Sequence, residues 1–112
     1  MHEPVFKIFS RIDADYILSD MHMHSTWTDG FGTIEQNILR AKEIGLKRIA
    51  ATDHIRHDST YFEEYSNEIK GLREKLDFEI YIGFEAKVND FIGHLDVSKK
   101  NLNLSELSIC SV

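Results

Sequence analysis

His22 and His24 stand one residue apart in the stretch Asp20-Met-His-Met-His-Ser-Thr-Trp-Thr-Asp29-Gly30, directly after the apolar run Tyr16-Ile17-Leu18. On a β-strand, residues two apart point to the same face, so both imidazoles can reach one metal ion from the end of a sheet. The polar, glycine-containing turn that follows is the kind of segment where functional groups gather. A His-x-His pair is also what a strand with two solvated histidines gives. The metal reading therefore depends on what else the chain delivers to the same place.

Tyr16 to Met21 reads as the first strand. Thr33 to Ile44 reads as a helix: Thr33 and Gln36 have capping-box spacing, and Ile34, Ile38, Ala41 and Ile44 form an apolar stripe. Gly45 is the expected stop. Lys47 to Thr52 is a second strand, small and apolar enough for burial on both faces. Thr60 and Glu63 suggest another capping box, followed by Phe62, Tyr65, Ile69, Leu72 and Leu76 at helical spacing, a stripe read as core. Phe78 to Ile82 is a third strand, with Gly83 ending it. Ala86 to Val97 reads as a strand or hairpin turning near Asn89-Asp90, Lys99 to Asn103 as a polar connection, and Leu107 to Val112 as the start of a further strand. In residues 2–15, Val5, Phe6, Ile8, Phe9 and Ile12 suggest a short element packed against the end of a sheet.

Strands alternating with helices imply a parallel sheet with helices outside. In such α/β folds, active sites collect at the carboxyl ends of the strands. Metal-ligand side chains do recur there: His22 and His24 after the first strand, Asp53 and His54 after the second, Glu85 after the third. In series they would surround one mouth.

Composition narrows the partners. A chain of 112 residues with 42% hydrophobic and 29% charged residues suits one globular domain or part of one. The net charge of −6 argues against a nucleic-acid-binding surface and agrees with metal ions that reverse the local field for anionic substrates. The one cysteine, Cys110, is expected as a buried strand thiol. No signal peptide and no membrane-spanning run is seen, so a cytoplasmic location is expected. Nothing in the sequence indicates an oligomeric state.

Four ordered segments resemble the PHP (polymerase and histidinol phosphatase) family. They are Asp20-Met-His22-Met-His24-Ser25 through Asp29-Gly30, Ala51-Thr52-Asp53-His54, Gly83-Phe84-Glu85, and Gly93-His94-Leu95-Asp96. The resemblance, which covers about Tyr16 to Val112, implies the amino-terminal part of a distorted (β/α)7 TIM-like barrel. It also implies up to three divalent ions (zinc, manganese or iron) in the intact domain. By this resemblance His22 and His24 bind one ion and Glu85 bridges it to a second. His54 serves a third ion with Asp29 beside it, while Asp20 and Asp53 orient imidazoles from behind. Glu85, His54 and Asp29 are then the catalytic candidates. The implied chemistry is hydrolysis of phosphoesters. Substrates would be small phosphomonoesters such as histidinol phosphate, or nucleotide and oligonucleotide phosphodiesters. The family's later histidine and Asp-x-His motifs are not found. Residues 1–112 are thus expected to be a partial domain, inactive by itself.

Two rival readings remain: a non-catalytic module of a larger protein such as a DNA polymerase, and an amidohydrolase-type metal hydrolase. The intact early ligands count against the first. The absence of a candidate carbamylated lysine at a strand end counts against the second. His57 reads as solvated, His94 as facing either toward or away from the site, and Trp27 as pocket lining or packing. Glu63-Glu64 and Lys99-Lys100 read as solvated faces, and His2 carries no functional argument.

Overall fold

The computed structural model describes residues 6–112; Val5 and His2 lie outside them. Five strands form one parallel sheet: β1 (Ser19–Met23), β2 (Arg48–Ala51), β3 (His54–Ile55), β4 (Glu79–Lys87) and β5 (Leu107–Ser111). Helices α1 (Ile34–Glu43), α2 (Phe62–Leu76) and α3 (Lys99–Leu104) occupy the connections. The strands curl into the half-barrel that the resemblance implies. β2 and β3 pair with β4 at a single offset, Ala51 opposite Ile82 and His54 opposite Glu85, so they are one strand interrupted at Thr52-Asp53.

The two faces of β4 explain the layering. Ile80, Ile82, Phe84 and Ala86 are buried in one core with Ile34, Ile38 and Ala41 of α1 and Phe62, Tyr65, Ile69 and Leu72 of α2. Burying each large side chain contributes ~1.5–3 kcal/mol relative to exposure. The alternate residues Glu79, Tyr81, Gly83, Glu85 and Lys87 face the other way, into the concave side. The helix face and the site face are thus written into one strand.

Several boundaries differ from the sequence expectation, each for a tertiary reason. The run Tyr16-Ile17-Leu18 is not strand: Ala14–Ile17 is a 3-10 turn. β1 starts only at Ser19, where its partner Arg48 becomes available. Arg48 also anchors the turn, donating from Nη1 to Asp15 O at 3.0 Å, with its guanidinium 5.1 Å from the Tyr16 ring. Upstream, Phe9–Arg11 is another 3-10 turn, and Phe6, Ile8, Phe9 and Ile12 are exposed rather than packed on the sheet.

The α1 capping box forms with both bonds, Gln36 N–H to Thr33 Oγ1 at 3.1 Å and Thr33 N–H to Gln36 Oε1 at 2.9 Å. Gly45 follows at φ 87°. The α2 box does not form. Tyr61 is the N-cap residue, its hydroxyl donating to His54 O, and the Glu63 carboxylate goes instead to Lys100 Nζ at 2.6 Å. Those two charges are exposed, as expected.

Gly83 does not end its strand. β5 joins there, opposite Leu107, and β4 runs on to Lys87. A Cβ at Gly83 would lie 2.8 Å from Thr52 Cγ2 and 3.1 Å from two backbone oxygens, so only glycine lets the three strands close up. Beyond it, Val88 bridges Leu95 antiparallel, closing the expected hairpin. The polar stretch from Lys99 is α3, capped by Ser98 and fastened by buried Asn101, whose side-chain amide donates to Ser59 O at 3.0 Å. Cys110 lies on β5 as expected but is exposed, because β5 is paired on one side only among the described residues. No helix among the described residues is long and apolar enough to cross a membrane.

Candidate metal centre

β1 and β2 slip register between Asp20 and Met23, a bulge that includes His22. Bulges re-aim side chains. Asp20 supports this one by accepting the His22 backbone N–H at 3.1 Å, and so does not orient an imidazole. Beyond the strand, Thr28 and Gly30 both donate backbone N–H groups to Ser25 O, closing a tight loop that carries Asp29. A Cβ at Gly30 would meet His24 O at 2.3 Å, so the loop closes only with glycine.

The loop is tied down from below by Asp53. Its fully buried carboxylate accepts from Ser25 N–H (2.8 Å), Ser25 Oγ (2.9 Å) and Thr28 Oγ1 (2.7 Å). Asp53, too, touches no imidazole; it locks the first loop to the end of β2. Behind it, burial raises the Tyr65 phenol well above its ordinary range, so the hydroxyl stays protonated and donates to Gly83 O at 3.3 Å.

The five candidate ligands come together. Glu85 Oε2 lies 3.1 Å from His22 Nε2, 2.9 Å from His24 Nε2 and 3.7 Å from His54 Nδ1. Asp29 places Oδ1 2.7 Å from His24 Nδ1 and Oδ2 3.1 Å from His54 Nε2. Two sets, His22–His24–Glu85 and His24–Asp29–His54, each bring their ligand atoms within 4.8 Å of one another. Partial burial pushes the Glu85 carboxyl up, but contacts from His22 and Ser111 outweigh it and hold the carboxyl below its usual range. Asp29 is held down mainly by its contact with His24, against some desolvation and with help from His54.

His24 tests whether a cation fits. A carboxylate at 2.7 Å draws the ring proton to Nδ1, which leaves a lone pair on Nε2. That Nε2 is buried and makes no hydrogen bond, although Glu85 Oε2 is 2.9 Å away. The contact has ion-pair distance without hydrogen-bond direction, so two electron-rich atoms face one another. A cation between them resolves this. Donors bound at ~2.0–2.2 Å to one ion lie roughly 3 Å apart, the spacing seen here. A divalent ion held by nitrogen and carboxylate donors therefore suits the first set, and zinc or manganese accept such ligands.

The remaining residues weighed in the sequence make their contacts elsewhere, with His57 solvated and Trp27 packed, both among the readings expected. His94 faces Asp90, with Nδ1 2.6 Å from Oδ2, and this contact and the His94 backbone N–H hold the Asp90 carboxyl down to about 2. His57 is exposed, its backbone N–H given to Asp96. Trp27 packs, stacked on Tyr61 at 5.6 Å with Nε1 donating to Glu68. Arg56 and Lys87, passed over in the sequence, line a cleft with His54 and Glu85. Their signal was the two-residue strand period counted onward from those two ligands.

A family model described as PHP domain matches residues 20–109. The chain is also similar to phosphoribosyl 1,2-cyclic phosphate 1,2-diphosphodiesterase of Eggerthella lenta, 35% identical over 75 residues, which are 67% of this chain and 26% of the relative. The chain thus spans about a quarter of that relative's length.

Proposed function

The chain belongs to the PHP domain family, and from that premise we propose that it forms the amino-terminal part of a metal-dependent phosphoesterase active in the cytoplasm. Its ions would be held by His22, His24, Asp29, His54 and Glu85. One observation carries the reading: three imidazoles and two carboxylates from β1 and its following loop, β3 and β4 converge with a buried, unbonded His24 Nε2 among them. Bound divalent cations would supply an acidified water and positive charge against the phosphate oxygens.

The chain's own groups do the positioning. Asp29 fixes the His24 ring through Nδ1, Glu85 presents one oxygen to both His22 and His24, and His54 closes the cluster from β3. Glu85, His54 and Asp29 would be the catalytic residues, acting beside the bound ions. Strands beyond the described half-barrel would supply the remaining ligands, so the 112 residues alone would turn over little or nothing.

A small phosphoester is the favoured substrate, either a phosphomonoester such as histidinol phosphate or a phosphodiester. The relative's name describes a cyclic phosphodiester on a phosphorylated sugar, which supports the diester. The chain's net charge of −6 supports a small molecule over a nucleic-acid strand. The test is metal content by elemental analysis. Wild type should retain manganese or zinc after desalting, and the His22→Ala, His24→Ala double variant should lose it. Unchanged metal content in the variant would refute the site.

A further inference from the structure

His54 sits on a short strand with one side open. Just before it, Asp53 O accepts the Glu85 N–H of β4 at 3.0 Å. Successive carbonyls of an extended chain point to opposite sides, so His54 O turns away from β4. On that side β1 has already ended at Met23, and β3 pairs with β4 alone among the described strands. The Tyr61 hydroxyl takes the empty place by donating to His54 O. It satisfies a carbonyl that the sheet leaves over.

Trp27 covers that tyrosine. The two rings stack with centroids 5.6 Å apart and planes 22° from parallel, and Tyr65 meets them edge-on at 6.1 and 5.7 Å. These are the arrangements that aromatic rings favour. Trp27 Nε1 also donates to Glu68 Oε2 at 2.7 Å, which holds the indole on α2. Trp27 stands two residues before Asp29, and Tyr61 is bonded to His54. The stack thus fastens from outside the two segments whose ligands meet inside, where Asp29 Oδ2 lies 3.1 Å from His54 Nε2.

Those two ligands have little packing of their own. The Asp29 side chain is 61% exposed and that of His54 50%. Glu85, which centres the other ligand set, is 12% exposed on a strand paired on both sides. Resting on the metal-centre reading above, we infer that Trp27 and Tyr61 are positioning residues for an ion held by His24, Asp29 and His54, and not for one held by His22, His24 and Glu85. The two ions are then separable. One is fixed by the sheet, the other by an aromatic stack between the β1 loop and the start of α2.

The experiment is calorimetric titration of the metal-free chain with manganese chloride, with Asp29→Asn marking which binding step belongs to the Asp29-containing set. Trp27→Ala should weaken that step about tenfold, the usual effect of removing a group that supports a ligand from behind. The other step should stay within twofold. Trp27→Phe, which keeps a ring on Tyr61, should restore most of the affinity, and Tyr61→Phe should cost severalfold. Both steps weakened alike by Trp27→Ala, or neither, overturns the inference, because a merely structural role loosens the centre as a whole. Asp29→Asn without effect on any step overturns it too. Failure of the metal reading looks different: wild type takes up no manganese, or the His22→Ala, His24→Ala variant takes up as much. In that case the imidazole proton resonances of His54 are compared without metal. They should shift in Trp27→Ala and return in Trp27→Phe, and resonances that stay in place overturn the inference. Circular dichroism matching wild type verifies that the variants fold.

Discussion

Asp53 is fully buried beside the centre and accepts three hydrogen bonds there. A fully buried carboxylate is costly unless it is well bonded, and here three neutral donors from Ser25 and Thr28 satisfy it. Asn at this position has one acceptor oxygen where Asp53 has two, and its amide turns donors toward donors. Asp53→Asn should therefore destabilise the fold by about 1–3 kcal/mol, measured by urea unfolding. Because the loop it anchors carries Asp29, metal affinity should fall as well. A variant with wild-type stability would show that the three bonds do not hold the loop.

At the scale of elements, Glu106 fastens α2 to the sheet. Its Oε2 accepts from Arg73 Nη2 at 2.7 Å and from the Ile82 N–H at 2.9 Å, while Arg73 also reaches Ile80 O. Burial raises the Glu106 carboxyl, but these bonds outweigh burial and hold it below its ordinary value of 4.5. A carboxyl depressed in the folded state contributes stability above its unfolded value and loses it as pH falls through the folded one. The stability gap between wild type and Glu106→Gln should accordingly be full at neutral pH and shrink below 4.5. Urea midpoints at neutral and acid pH check this, and a gap constant with pH would remove the ion pair from the account.

For the molecule as a whole, the concave face collects charge while β5 is paired on one side only among the described residues. Cation binding to the folded state alone stabilises it by mass action, about 2.7 kcal/mol at a ligand concentration of 100 Kd. Manganese or zinc should raise the thermal midpoint by several degrees and EDTA should reverse the rise; a midpoint indifferent to both would mean no folded-state site. Cys110, exposed on β5, should react with a thiol reagent in the native state as readily as in denaturant. A protected thiol would mean that another chain covers the edge.

Much of this protein is legible from local chemistry. The His22-x-His24 spacing brings two imidazoles to the end of β1, the Thr33–Gln36 box starts α1, and strand-helix alternation specifies the parallel sheet, because those signals act over a few neighbouring residues. That His54 and Glu85 reach one mouth agrees with the same alternation, although His54 opens β3 and Glu85 lies within β4 rather than after a strand end. What lay outside that reach depends on partners distant in the chain. Arg48 decides where β1 begins, Lys100 draws Glu63 away from a cap, and β5 carries β4 through Gly83. Asp53 turns to the Ser25 loop and Asp29 to two imidazoles for the same reason. The sequence by itself determined which residue types reach the mouth of the sheet, since periodicity is a local property. Only the tertiary structure decided which of them touch, since hydrogen bonds and register are settled between segments that meet on folding.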